Sequence, residues 1–213
     1  MREESRLFAA ARGGTNDGVQ RYLEATPSRE LIVSQGLPPY TEMSRQGKGW
    51  QVMDTSATAA VVVRPSTVAG LTIHNGNAAG GESYIIDRAW VFNLVSSDAV
   101  SSYSVWGCLH PAGTTAPTAD ITAIKSMSGS GTYGGNATVD TGDTVIDDGW
   151  FPLVDGTLGN PGGVTPGGAA IVALGGRIIV PPTGAFSSNV VASLVTWTFT
   201  HGFSWYEQQL DME

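Results

Sequence analysis

The feature that most constrains this chain is a side-chain period of two, sustained from about residue 57 onward with no helical period of any length. In SYIIDRAWVFNLVS (83–96), Tyr84, Ile86, Arg88, Trp90, Phe92 and Leu94 share one parity. In LVTWTFTHGFSWY (194–206), Val195, Trp197, Phe199, His201, Phe203 and Trp205 share one parity, while Thr, Gly, Ser and Tyr hold the other. Successive side chains of a strand point to opposite faces, so both stretches read as strands with one face on a core. The longer run that holds the second, NVVASLVTWTFTHGFSWYE (189–207), suits two strands, or one that bends near Gly202.

Further strand text lies at 57–64, 71–75, 102–110, 121–127, 144–148, 150–154, 169–174 and 176–181, with clusters of Gly, Pro, Asn, Ser and Asp between the runs. Eight to ten short strands without intervening helices predict an all-β fold. The expected form is an antiparallel two-sheet β-sandwich, jelly-roll-like, over residues 57–213. Two Gly-rich loops, 128–136 and 155–168, read as exposed excursions where partner contacts gather.

Residues 1–56 have no period. RLFAAAR suits one or two helical turns ended by Gly13-Gly14, and Pro27, Pro38 and Pro39 punctuate the stretch after them. The segment reads as an N-terminal arm, with ELIVS (30–34) able to add to a sheet edge. Its bases Arg2, Arg6, Arg12, Arg21 and Arg29, together with Leu31, Ile32 and Val33, are the candidate interface residues. Nine of the eleven basic residues are arginine, the cation favoured at protein interfaces, although a genomic preference for Arg gives the same count.

Charge and cysteine content narrow the function classes. Residues 1–50 carry seven bases and six acids, and the remainder four bases and thirteen acids. An acidic body repels phosphate, so nucleic acid is not an expected partner of it. No run approaches the roughly 20 apolar residues of a membrane helix, and the first residues lack the pattern of a secretory signal. The single Cys108 excludes an intrachain disulfide and a CxxC motif.

No catalytic motif stands out. GxSxG, HExxH and the P-loop are missing, and the GxGxxG at 129–134 is not followed by a helix. His74, His110 and His201 lie far apart in the chain, and His201 reads as a sheet histidine packed between Phe199 and Phe203. Asp140, Asp143, Asp147 and Asp148 in DTGDTVIDDG are candidate oxygen ligands for calcium, or else the acids that keep a hairpin edge soluble. No cofactor and no catalytic residue are assigned.

The arm TPSRELIVSQGLPPYTE, the run SYIIDRAWVFNLVS, the segment GRIIVPPTGAFSSNVVAS and the terminal FSWYE together resemble the jelly-roll structural proteins of tailed-bacteriophage particles. That resemblance implies a non-enzymatic virion protein of the capsid-decorating or cementing type, often trimeric. It implies a major capsid protein and further copies of itself as partners, and allows a head fibre or tail component. The alternative is a carbohydrate- or receptor-binding β-sandwich, with Trp50, Trp106, Trp150 and Tyr133 as stacking surfaces beside Asp147 and Asp148. A cupin-like enzyme would need an H-x-H pair, which this chain lacks.

Overall fold

The computed structural model describes residues 40–95, 101–118, 121, 123–129, 131–158 and 168–210. The chain divides into two units, Met1–Pro39 and Tyr40–Glu213, and the second holds every strand described below. The candidate interface residues Arg2, Arg6, Arg12, Arg21, Arg29, Leu31, Ile32 and Val33 lie outside the described residues.

One short helix, α1 (Thr41–Arg45), precedes eleven strands. The first sheet contains β1 (Gly49–Met53), β2 (Thr58–Ala59), β4 (Glu82–Val95), β6 (Lys125–Ser126), β9 (Gly168–Val180) and β11 (Thr198–Gln209). Its order is β6-β1-β11-β4-β9, with β2 pairing β11 beyond the end of β1. The second contains β3 (Leu71–Asn75), β5 (Ser101–His110), β7 (Ala137–Thr141), β8 (Phe151–Leu158) and β10 (Ala185–Ala192), in the order β7-β3-β10-β5-β8. Every ladder between these strands is antiparallel, and the fold is an all-β sandwich of two sheets. Four pairings nest inside one another: β1 with β11, β3 with β10, β4 with β9 and β5 with β8.

The sandwich takes in residues that the sequence assigned to the arm. In GWQVM, Trp50 and Val52 turn inward, whereas Gln51 and Met53 turn out, so residues 49–53 are a strand paired with β11. Tyr40 stacks on Tyr206 with ring centroids 4.7 Å apart, and its hydroxyl donates to the Gly175 carbonyl at 3.1 Å. The body therefore starts at residue 40, not 57.

A further sequence expectation fails for an identifiable reason. In β4 the ladder skips Asp87: Ile86 pairs Trp205 while Arg88 pairs Ser204. One extra residue exchanges the faces of everything after it. Tyr84 and Ile86 point into the core, but Trp90, Phe92 and Leu94 point out, and Ala89, Val91 and Asn93 take the inner positions. Of the two alternatives for 189–207 the structure has the first, two strands, separated at residues 193–197. There the chain crosses from one sheet to the other, so Val195 is exposed while Trp197 plugs the end of the core.

The core has two apolar clusters. One gathers Trp50, Leu71, Ile73, Tyr84, Phe186, Phe203 and Trp205, and the other Val91, Tyr103, Val105, Val190, Trp197 and Phe199. Each large side chain removed from water stabilises the fold by about 1.5–3 kcal/mol. The opposite parity of β11 is not the wetter face that its Thr and Ser suggested. Thr200, Ser204 and Tyr206 are buried as well, and the Trp90 ring lies across Gly202, where an added Cβ would stand 2.3 Å from the indole Nε1.

Gly70 is a tight point of the inner packing. A Cβ there would stand 2.6 Å from both Cε1 and Nε2 of the fully buried His201. Gly70→Ala should therefore destabilise the fold by about 1–3 kcal/mol through overpacking. Gly202→Ala should do less harm, because the half-exposed Trp90 can swing outward. Chemical denaturation of the two variants checks the difference.

Candidate functional site

A third layer covers the outer face of the second sheet. Residues 61–69 and 142–150 pass over β3, β10 and β5, burying Ala69, Val145 and Trp150 against Cys108. The Trp150 indole donates to the Ser66 carbonyl at 3.0 Å, and Ala69 N–H donates to the Asp143 carbonyl at 3.0 Å. Arg64 clamps the two segments together with a bidentate grip on Asp147, at 2.7 and 3.0 Å. That hydrogen-bonded guanidinium holds the Asp147 carboxyl below its ordinary range.

Beneath this cover runs a chain of polar side chains drawn from four parts of the sequence. Asp148 Oδ2 lies 2.8 Å from His110 Nδ1, His110 Nε2 lies 2.9 Å from Ser187 Oγ, and Ser187 Oγ lies 2.9 Å from Thr72 Oγ1. An ionised Asp148 accepts only, so Nδ1 carries the proton and donates to it. Nε2 then accepts from the Ser187 hydroxyl, which itself accepts from Thr72. The order carboxylate, imidazole, hydroxyl is that of an acyl-transfer triad.

What surrounds the hydroxyl differs from an active site. Ser187 and His110 are both 0 % exposed. Ser187 sits mid-strand in β10, opposite Thr72 on one side and Cys108 on the other, so its backbone belongs to the ladders. A nucleophile must reach substrate, and an oxyanion must find unengaged donors. The Ser187 hydroxyl is enclosed and does not reach the surface. The arrangement does satisfy three buried polar groups, Thr72, His110 and Ser187, through an Asp148 that is itself exposed, and a half-satisfied set would be costly. The Cys108 thiol, 3.9 Å from His110 Nδ1, is pushed up by burial and is therefore not a reactive thiolate.

The four candidate calcium ligands do not converge. Asp147 gives both oxygens to Arg64, and Asp148 caps His110. Asp143 is partly buried, which raises its carboxyl, and Asp140 lies in β7 opposite Thr72. Among the described residues, no three His, Cys, Asp or Glu side chains stand together as metal ligands. Nothing in the letters signals the polar chain, because Thr72, His110, Asp148 and Ser187 share no local motif. Only the fold's layering joins them.

The aromatic candidates are mostly internal. Trp50 and Trp150 are 8 % and 5 % exposed. Tyr133, read as part of an exposed loop, turns back into the sandwich and donates to Glu207 Oε1 at 2.8 Å. Trp205 Nε1 donates to the same oxygen at 3.1 Å, and burial raises the Glu207 carboxyl. His74 and Thr114 share a hydrogen bond of 3.0 Å between Nε2 and the carbonyl. Comparison with protein-family models, curated proteins and solved structures finds no match to this chain.

His201 supplies a pH test of the packing. Its Nδ1 lies 3.1 Å from Ser188 Oγ, and complete burial lowers its pKa to about 4 from 6.5. The folded form resists protonation, so the unfolded chain binds more protons between these values. The His201 contribution to stability is therefore full above pH 6.5, falls by about 3 kcal/mol as pH drops toward 4, and changes no further below. Denaturation of the native chain and of His201→Gln across pH 4–7 should show this slope only where the histidine is present. A second test concerns Ser187: a fluorophosphonate should leave the folded protein unlabelled, and Ser187→Ala should cost about 1–3 kcal/mol of stability.

Proposed function

We propose that this chain is a non-enzymatic structural protein of a viral particle, a capsid-decorating or cementing subunit of a tailed-phage head. Its place is the virion, and its partners are a major capsid protein and further copies of itself. The observation that carries the reading is the nested strand order, β1-β11-β4-β9 facing β3-β10-β5-β8. A single long hairpin rolled onto two sheets has this connectivity, which supports a jelly roll of two Greek keys. Fold alone does not assign function, so the reading also leans on the state of the polar site. The best-formed catalytic geometry among the described residues has its hydroxyl and imidazole buried, and the Arg-biased first 39 residues precede the sandwich as a separate unit.

The carbohydrate-binding alternative loses two of its stacking surfaces, since Trp50 and Trp150 serve the interior. It retains Trp106, which is partly exposed and donates from Nε1 to Ser104 Oγ at 2.7 Å.

The two readings part in a sedimentation experiment. Heads are assembled from the capsid gene of the same genome and mixed with the full chain. The chain should band with them, and a chain lacking residues 1–39 should stay behind while remaining folded. Truncation at residue 50 would be a poor test, because it removes Gly49 and Trp50 from β1. A full chain that stays at the top of the gradient contradicts the proposal.

A further inference from the structure

Five strands lie on the sheet edges among the described residues, β2, β6, β7, β8 and β9, and the first four are short or blunted, β2 being two residues long. The β6 edge is two residues long and carries Lys125. The β7 edge carries Asp140, and β8 carries Pro152 and Asp155. Short length, charge and proline are the devices that keep a strand edge from pairing with another chain.

The edge made by β9 lacks all three over its first half. Residues 168–174 read GAAIVAL, with neither charge nor proline, and the strand's only charged residue is Arg177, beyond Gly175-Gly176. Both of those glycines have positive φ, 58° and 77°, so the straight, unprotected stretch ends there. The outer face beside this edge is apolar too. Met53, Gly202, Trp90 and Ile171 stand in one row across β1, β11, β4 and β9. Phe92, Leu94, Ala169 and Gly168 border a shallow apolar trough next to them. Ile171 is 62 % exposed on this row.

We propose that this edge pairs with the same edge of a second copy, antiparallel about a two-fold axis near Ile171, joining two first sheets into one. Residues 51–213 carry thirteen acids against four bases, so two such bodies repel, and a second copy can pair only along an edge that sets no like charges opposite each other. The uncharged 168–174 edge with its apolar flank meets that condition. The stretch is also self-complementary: centred on Ile171, the pairing sets Ala169 against the partner's Ala173, and the two isoleucines side by side on the outer face. Such a contact is isologous and closes at two copies, unlike the trimer implied by the resemblance. It does not require the chain to belong to a particle.

Sedimentation equilibrium of the full chain tests it, with two variants. The native chain should be a dimer. Ile171→Lys sets like charges opposite each other and should give a monomer, while Ile146→Lys, 70 % exposed on the layer over the other sheet, should remain dimeric. Ile171→Cys should form a disulfide-linked dimer on mild oxidation, since paired strands hold opposite Cα atoms about 4.5–5.5 Å apart. The native Cys108 is buried and should not compete. A monomeric native chain, a dimer that survives Ile171→Lys, or an Ile171→Cys variant that stays uncrosslinked overturns the proposal.

Discussion

Everything in this sandwich is arranged around the burial of β11 on both faces. From Phe199 to Glu207 no residue of the strand is exposed. Inward, Phe199, His201, Phe203 and Trp205 fill the space between the sheets. Outward, Gly202 lies under Trp90 and Tyr206 under Tyr40. A strand in this position must have both backbone edges satisfied, and β1 and β4 supply the partners. The first and last strands of the body thus close on each other, and the remaining pairs nest within that closure.

The second sheet needs a different solution. Its outer face carries Thr72, Ser187, His110 and Cys108, a mixture too polar for a core and too enclosed for water. The covering layer answers with Asp148 for the imidazole, Trp150 and Val145 for the apolar surface, and the Arg64–Asp147 clamp to hold the segments together. Exposed ion pairs contribute little by themselves, so the clamp orients the layer while burial of Trp150 stabilises it. The triad-like order of groups satisfies the donors and acceptors that this layering buries.

How much of this was legible in the sequence divides along physical lines. Alternation in 71–75, 83–96 and 102–110 revealed strands because each sets a core face against another face over several residues. Asp87 hid the register of β4, since a bulge breaks no local rule that the letters display. Strand β1 was missed because five residues, the first a glycine, carry too few alternations, and its identity comes from pairing with β11, about 150 residues later. Tyr133 looked like loop because its neighbours are glycines, yet Glu207 draws its hydroxyl inward. The polar chain was invisible for the same reason: its members meet only after both sheets and the covering layer are in place.

The central claim is that the buried Ser187 and His110, with the exposed Asp148 over them, serve the packing of the second sheet under its covering layer. Native-state hydrogen exchange of the β10 amides, residues 185–190, tests this most directly. If the claim holds, these amides exchange only through global unfolding, with a protection free energy equal to the stability of the whole body. Exchange through a smaller opening that frees 142–150 together with β10 would mean that the layer is a lid over a working hydroxyl, and would contradict it.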